Sequence, residues 1–351
     1  MSNSNHSVSK EELANFVTSD KPHVVILGAG ASRAVCPNGD KNGKKLPLMR
    51  DLIDCLNLKP KLKEWDINPN QNFEDIFSNL YEKEEFEKTR ELEYLVWTYL
   101  EKLRLPDKPT IYDHLVLSLR DKDFIASFNW DPLLLHAYHR NSNQGIELPR
   151  LAFLHGNVRQ GFCEEHKRVN YLGTNCERCQ KPLRPTKLLY PIKKKNYSEN
   201  EVIKIQWNRL STHLDYAFML TIFGYSGPKT DEEAINIIKK HWTEQRFLDD
   251  THFITDQNEN KTYEHWKSFV NSHHFRIHND FYKSVLANYP RRTFENSWTN
   301  NAEAKFTEEN PIPINLDFPE LWKWYHQFTE AEKDFRKKNP FPTPPKWYPK
   351  K

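Results

Sequence analysis

Long apolar runs are absent from this sequence of 351 residues, and a membrane-spanning helix needs about eighteen apolar residues or more. A signal-peptide core is absent as well, because the opening stretch MSNSNHSVSKEEL is polar and contains acidic residues. Positive and negative charges nearly balance, at a formal net charge of +3. This balance gives little reason to expect direct binding of nucleic acid. We therefore expect a cytoplasmic protein that does not enter a membrane.

Cysteine is scarce, and its distribution argues against a disulfide framework. The chain has five cysteines, and three of them lie within one segment of seventeen residues. An odd, clustered set without an export signal is typical of metal binding instead. Cys163, His166, Cys176 and Cys179 form two pairs with the spacing of a zinc ribbon. Four protein ligands predict a closed, structural zinc site, although the identity of His166 as the fourth ligand stays open.

Four apolar segments end in small or polar residues, and helical segments separate them. The motifs that follow these segments are GAGAS at 28–32, NWD at 129–131, HGN at 155–157 and GYS at 224–226. Strands alternating with helices predict an α/β fold with a doubly wound, mostly parallel, Rossmann-like sheet. Ligands of such sheets bind at the carboxyl ends of the strands, which is where these motifs lie.

The GAGAS motif has two interpretations. Gly28 allows a tight turn and Gly30 allows close approach of a phosphate, to which the following helix offers its N-terminal N–H groups. A third glycine of the dinucleotide-binding fingerprint is missing, since Arg33 stands there. A purely structural turn explains the same residues.

Asn129, Asp131 and His155 are the candidate reacting groups. Asn129 and Asp131 are two residues apart at a strand end and point to the same side, where they can bind a carboxamide or hold a water. Asp131 before Pro132 is equally typical of a helix N-cap. His155 has the side chain best suited to proton transfer near neutral pH, although most histidines are not catalytic.

These motifs, in this order, resemble those of the sirtuin family and its prokaryotic sirtuin-like relatives. The resemblance covers roughly residues 20–258 and implies an NAD site of the Rossmann type beside a small zinc-ribbon lobe. It also implies roles for individual residues. Gly28, Ala29, Gly30, Ala31 and Ser32 would form the pyrophosphate loop, and Pro47 and Arg50 would belong to the cofactor loop. Asn129 and Asp131 would be the nicotinamide-pocket pair, and His155 the catalytic residue. Gly224 and Ser226 would bind the ribose, and Asp256 would lie near the adenosine.

Two departures from the protein-deacylase sirtuins bear on the activity. Met49 stands where those enzymes usually have Phe, and residues 183–197 contain no recognisable peptide-binding strand. The chain looks instead like a bacterial branch that degrades NAD in antiviral defence. The resemblance thus implies an NAD hydrolase, with NAD as substrate. An NAD-dependent protein deacylase and a non-catalytic module that binds NAD or ADP-ribose are the alternatives.

The sequence predicts one catalytic domain between two terminal segments. An N-terminal segment, residues 1–20, precedes a sirtuin-like NAD-binding domain at 21–290, and a C-terminal helix with a Pro-rich basic tail occupies 291–351. Within the domain we expect a helical insertion at 60–120 and the zinc ribbon at 160–182. We also expect the stretch LPLMRDLIDCL to be helical, with a proline in its first turn.

An enzyme that depletes NAD needs a restraint, and no sensor domain is evident in the sequence. We therefore expect a homo-oligomer or a separate regulatory partner. The resemblance implies an ATPase or an Argonaute-type protein in that role.

Overall fold

A computed structural model of the chain describes residues 7–190, 197, 200–242, 249–270 and 272–340. The predicted Pro-rich tail beyond residue 340 lies outside these residues, as does the beginning of the predicted N-terminal segment. Among the helices that are described, none is both long and apolar enough to cross a membrane.

The secondary structure alternates between short strands and helices. The strands are β1 (Ser7–Val8), β2 (His23–Leu27), β3 (Phe124–Ser127), β4 (Arg150–Phe153), β5 (Gln160–Cys163), β6 (Arg168–Tyr171), β7 (Arg184–Pro185), β8 (Met219–Phe223), β9 (Asp250–Ile254), β10 (Phe275–His278) and β11 (Phe306–Thr307). The helices are α1 (Lys10–Asn15), α2 (Ala29–Val35), α3 (Leu52–Cys55), α4 (Lys59–Glu64), α5 (Phe73–Glu82), α6 (Phe86–Glu101), α7 (Ile111–Leu117), α8 (Leu133–Asn141), α9 (Glu201–Tyr216), α10 (Glu232–His241), α11 (Glu259–Trp266), α12 (Val285–Asn288), α13 (Thr293–Asn301) and α14 (Phe318–Lys338).

The central sheet has six strands in the order β10-β9-β8-β2-β3-β4, and every neighbouring pair is parallel. Counted along the chain, these strands follow the order 3-2-1-4-5-6, which is the doubly wound order of dinucleotide-binding sheets. The predicted α/β class with a parallel, Rossmann-like sheet is therefore confirmed. The order reverses between β2 and β8, so the switch point lies between those two strands.

Helices cover both faces of this sheet, as its continuously apolar strands require. Val24 and Ile26 of β2 pack with Trp207 of α9 on one face. Val25 and Leu27 pack on the opposite face, in the cluster that also contains residues of α7 and α8. A separate three-stranded antiparallel sheet, in the order β6-β5-β7, forms the small ribbon lobe.

The C-terminal helix α14 is held to the domain by buried charge as well as apolar packing. Its N-terminus is capped by Asp317, whose side chain accepts a hydrogen bond from the backbone N–H of Glu320. Glu332 forms ion pairs with Arg291 at 2.5 Å and with Arg292 at 2.6 Å. These two guanidiniums hold the pKa of Glu332 at about 2 against the opposing effect of burial. The boundaries of the predicted domains and of the insertion stay predictions.

Candidate functional site

Four turns meet at the carboxyl edge of the central sheet. Gly28, Asn129, His155 and Gly224 follow β2, β3, β4 and β8, which are consecutive neighbours in the sheet. The strand ladder continues into two of these turns, because Phe128 N donates to Leu27 O at 2.9 Å and Leu154 N to Ser127 O at 2.8 Å. The predicted reacting groups therefore follow adjacent strands, β3 and β4, on the β2 side of the switch point.

The glycines of the GAGAS and GYS turns allow the two turns to pack directly on each other. A Cβ on Gly28 would lie 2.5 Å from Tyr225 Cα, and one on Gly30 would lie 2.9 Å from Gly224 Cα. Gly224 itself has φ +63°, and a Cβ there would lie 2.1 Å from Ala31 N. The space that sequence reasoning assigned to a phosphate at Gly30 thus contains Gly224. The exposed residue of the GAGAS loop is Ala29.

A closed hydrogen-bond network joins the GAGAS loop to the NWD turn. Ser32 Oγ donates to Asp131 Oδ2 at 2.6 Å and lies 2.7 Å from the Tyr112 hydroxyl. Asn129 Nδ2 donates to Gly28 O at 2.8 Å and to Ser32 Oγ at 2.9 Å. Because Ser32 already donates to Asp131, the Tyr112 hydroxyl must donate to Ser32. The network fixes Asn129 and Asp131 relative to the loop.

Asp131 accepts hydrogen bonds at the start of α8 and from the GAGAS loop. Its Oδ1 accepts a hydrogen bond from the backbone N–H of Leu133 at 3.0 Å, as an aspartate does at the start of a helix. The residue is 8% exposed, and burial raises the pKa of its carboxyl, although the hydrogen bond from Ser32 opposes that shift. The carboxylate therefore lies at the base of the site with acceptor positions on both oxygens in use.

His155 packs within an aromatic group that includes Phe128 and Tyr197. Its ring meets Phe128 edge-on, with centroids 4.8 Å apart, and its Nε2 lies 3.2 Å from the Tyr197 hydroxyl. Gly156 follows with φ +79°, and a Cβ there would lie 2.4 Å from Lys187 O. Asn157 Nδ2 donates to the backbone oxygen of Asp131 at 2.5 Å, so the HGN turn is tied to the NWD turn.

Sequence reasoning missed four side chains of this edge. Tyr112 comes from α7, Tyr197 precedes α9, and Tyr225 stacks on Phe128 with centroids 4.1 Å apart. The sequence predicts Thr230 or Asp231 as the cap of α10, but Asp231 Oδ2 accepts a hydrogen bond from the Tyr225 hydroxyl at 2.9 Å. No local pattern marks Tyr112 and Tyr197, because their partners Ser32 and His155 are distant in the sequence.

A small open depression lies beyond the GYS turn, at the ends of β8 and β9. Tyr225, Ser226, Thr255 and Trp266 are among its lining residues. Asp256, which follows Thr255, is exposed at the end of β9. The structure therefore places Ser226 and Asp256 on the same part of the edge, on the far side of the switch point from Asn129.

The segment with Pro47 and Arg50 differs from its predicted helical form. Helix begins only at Met49, first as a 3-10 turn and then as α3, so Pro47 precedes it. Arg33, in the last turn of α2, holds the segment by donating to Leu46 O at 2.9 Å. This tertiary contact keeps the backbone around Pro47 non-helical. Pro47 is half-buried and Arg50 exposed.

The Cys/His group of the ribbon lobe has the geometry that zinc requires. The ligand atoms of Cys163, His166, Cys176 and Cys179 all lie within 4.8 Å of one another. Cys163 Sγ lies 3.7 Å from both Cys179 Sγ and His166 Nδ1, close to the edge of about 3.8 Å expected for a tetrahedron with Zn–S bonds of about 2.3 Å. Backbone hydrogen bonds from Cys179 and Arg178 lower the pKa of Cys176 to about 6, which favours the thiolate. These residues fit a structural zinc ion, and His166 completes the set.

We expect the purified chain to contain about one zinc ion per molecule, and Cys179→Ser to reduce that content because it removes one corner of the tetrahedron. Elemental analysis by mass spectrometry measures the zinc. Cys55→Ser is the matched control, since Cys55 lies in α3, outside the ribbon lobe, and should retain the metal. Full zinc occupancy in Cys179→Ser would contradict the assignment.

Comparisons with known proteins return structural likenesses only. No family model matches the chain, and no curated protein matches it. A Sir2 homologue in complex with NAD has a TM-score of 0.39 at 14% identity, over 74% of this chain and 85% of that chain. A mutant Sir2 homologue with 2′-O-acetyl ADP-ribose has a TM-score of 0.42 at 14% identity, over 76% of this chain and 89% of that chain. Sir2 bound to an inhibitor, 2′-O-acetyl-ADP-ribose and a deacetylated peptide has a TM-score of 0.38 at 13% identity, over 81% of this chain and 94% of that chain.

Proposed function

We propose that this protein is an NAD hydrolase, which cleaves the bond between nicotinamide and ribose to give nicotinamide and ADP-ribose. The observation that carries the proposal is the placement of Gly28, Asn129 and His155 after three adjacent strands, beside the switch point of a sheet in dinucleotide-binding order. Dinucleotides bind across that crevice. The motif resemblance to the sirtuin family supports the same ligand.

The proposed binding mode places the dinucleotide along the carboxyl edge of the sheet. The pyrophosphate lies over the exposed Ala29 at the start of α2, where the positive end of the helix dipole favours an anion. The adenosine ribose lies in the depression beside Ser226, with Asp256 near the adenosine. The nicotinamide end lies toward Asn129, with Pro47 and Arg50 contributing from the loop after α2.

The proposed chemistry needs no acid for the leaving group. When the bond from ribose C1′ to nicotinamide N1 breaks, the electron pair leaves with nicotinamide, which becomes a neutral pyridine. Water adds to C1′, and His155 takes the proton that this water loses. Asn129 orients the water or the ribose, and Asp131 accepts a hydrogen bond from the carboxamide. A carboxylate has about four acceptor positions, so Asp131 can add this donor to Ser32 and the Leu133 N–H.

We further propose that the protein acts by NAD depletion in bacterial antiphage defence, as a cytoplasmic homo-oligomer or with an ATPase or Argonaute-type regulator. Such an activity requires restraint until it is triggered. The helical insertion offers a surface for a partner, since Tyr94 of α6 is 68% exposed and Tyr81 and Phe86 are each 48% exposed. The mass of the native complex, measured after purification, tests whether a second chain or copy is bound.

The proposed activity is tested by incubating the full chain with NAD, alone and with any chain that co-purifies, and separating nicotinamide by chromatography. We expect nicotinamide and ADP-ribose in equal amounts without any added peptide. Release that requires an acetyl-lysine peptide would instead indicate a deacylase. Saturable NAD binding without turnover would indicate a binding module. Either result contradicts the proposal.

A further inference from the structure

Asp231 occupies the N-cap position of α10, but its side chain forms no capping hydrogen bond to the helix. An aspartate at an N-cap normally accepts a hydrogen bond from the first backbone N–H groups. Asp231 is only 4% exposed, so its carboxylate is buried and directed elsewhere. The direction it takes is toward the carboxyl edge of the sheet.

Three side chains of that edge converge on this carboxylate. The Tyr225 hydroxyl donates to Oδ2 at 2.9 Å, and His155 Nε2 lies 3.8 Å from Oδ1. The Tyr197 hydroxyl lies 3.2 Å from His155 Nε2, and the Asp231 charge contributes to the raised pKa of that tyrosine. A buried carboxylate with a tyrosine donor and a histidine beside it is a polar group that the fold supports at a cost, because burial of a charge is unfavourable unless it is paired.

We infer that Asp231 is a positioning residue for His155: its charge, 3.8 Å from Nε2, orients the imidazole and stabilises the imidazolium that forms when His155 takes a proton. The inference rests on the proposed function, because that reaction supplies the proton that His155 takes. It does not add a step to that reaction. It assigns to Asp231, the N-cap residue of α10, the task of preparing the base.

The hydrogen-bond directions define the state in which His155 is held. The Asp231 carboxylate, 3.8 Å from His155 Nε2, favours a proton on that nitrogen, which can then donate to the Tyr197 hydroxyl. Nε2 therefore carries the proton, and Nδ1 is the nitrogen with the lone pair. The carboxylate thus fixes the tautomer of the histidine through the ring nitrogen that is remote from the reaction. General-base catalysis requires such an arrangement.

Among the residues that the structure describes, Asp231 is the charged group that pairs with His155. Phe128 packs on the imidazole edge-on, and both tyrosines have raised pKa values because of burial, so they stay neutral. Glu233 of α10 acts on Tyr197 and Glu74 of α5 acts on Tyr225. Glu233 is exposed and Glu74 is half-buried, so water screens both more than it screens Asp231.

The direct test is the titration of His155 in the full chain, followed by NMR of histidine ring carbons. Loss of one resonance in His155→Ala assigns the signal. In Asp231→Asn we expect the pKa of His155 to fall by about one unit or more, because a negative charge near 4 Å that favours the imidazolium is removed. An unchanged titration would overturn the inference. This readout does not depend on turnover, so it separates failure here from failure of the proposed function.

Kinetics supply the second readout. Asp231→Asn should lower kcat about 10- to 100-fold and move the acidic limb of the kcat profile to lower pH, with KM for NAD within about threefold. Asp250→Asn is the matched control. Asp250, at the amino end of β9, is a buried carboxylate whose Oδ1 lies 3.3 Å from His252 Nε2. It should leave the pH profile in place. If Asp231→Asn raised KM and left the profile unmoved, its role would be structural and the inference wrong.

Discussion

Replacement of His155 by alanine is expected to lower kcat for nicotinamide release by about 10²- to 10⁴-fold, because the proton lost by the attacking water then has no positioned acceptor. His155 is 5% exposed and anchored through its Nε2 contact with Tyr197, so no solvent buffer easily takes its place. KM should change little, since the ring does not anchor the pyrophosphate or the adenosine in the proposed mode. Steady-state kinetics with NAD measure both constants.

The matched control for this variant is His213→Ala. His213 is also a buried histidine, and its ring stacks on Phe124 at the beginning of β3, with centroids 4.0 Å apart. Burial lowers the pKa of His213 to about 3, so it stays neutral at physiological pH. Its loss should reduce thermal stability while the folded enzyme keeps its kcat. Equal losses of kcat in both variants would indicate that His155 acts by packing alone.

Gly224→Ala is expected to have the largest effect on folding. At φ +63°, an alanine costs about 1–2 kcal/mol for the backbone conformation alone. The added methyl would also lie 2.1 Å from Ala31 N and 2.5 Å from Gly30 C, and these are backbone atoms that cannot rotate away. We expect a destabilisation above about 4 kcal/mol, or failure to fold.

Gly43→Ala separates these two contributions. Gly43 has a similar φ of +76°, but no atom lies within 4 Å of its Cβ position. Only the conformational cost of about 1–2 kcal/mol should remain. Thermal unfolding at matched protein and zinc concentrations measures both variants. A melting temperature for Gly224→Ala equal to that of Gly43→Ala would show that the two turns do not pack as closely as described.

Local patterns in the sequence were sufficient to predict the strands, their turns and the ribbon. HVVIL forms a fully buried strand, as an unbroken β-branched run predicts. The ribbon ligands were predicted because their order and spacing along the chain specify a tetrahedron. The alternation of strands with helices predicts parallel pairing, and parallel pairing places the motif residues on one edge of the sheet.

The residues that complete the site could not be predicted, because their partners are distant in sequence. Tyr112 meets Ser32 across 80 positions and Tyr197 meets His155 across 42. The sequence explains Gly30 by the close approach of a phosphate, whereas in the structure the GYS turn packs against it. Asp231 had an adequate local explanation as a helix cap, and that explanation hid its contact with Tyr225. Tertiary packing overrode local preference in each case.

The most direct test of the central claim is a crystal structure of Asn129→Ala with NAD, since that variant should bind the dinucleotide and turn it over slowly. The account predicts the pyrophosphate over Ala29, the adenosine ribose beside Ser226, and ribose C1′ between position 129 and His155. NAD bound elsewhere on the chain, or a crevice at the switch point that stays closed at saturating NAD, would contradict it.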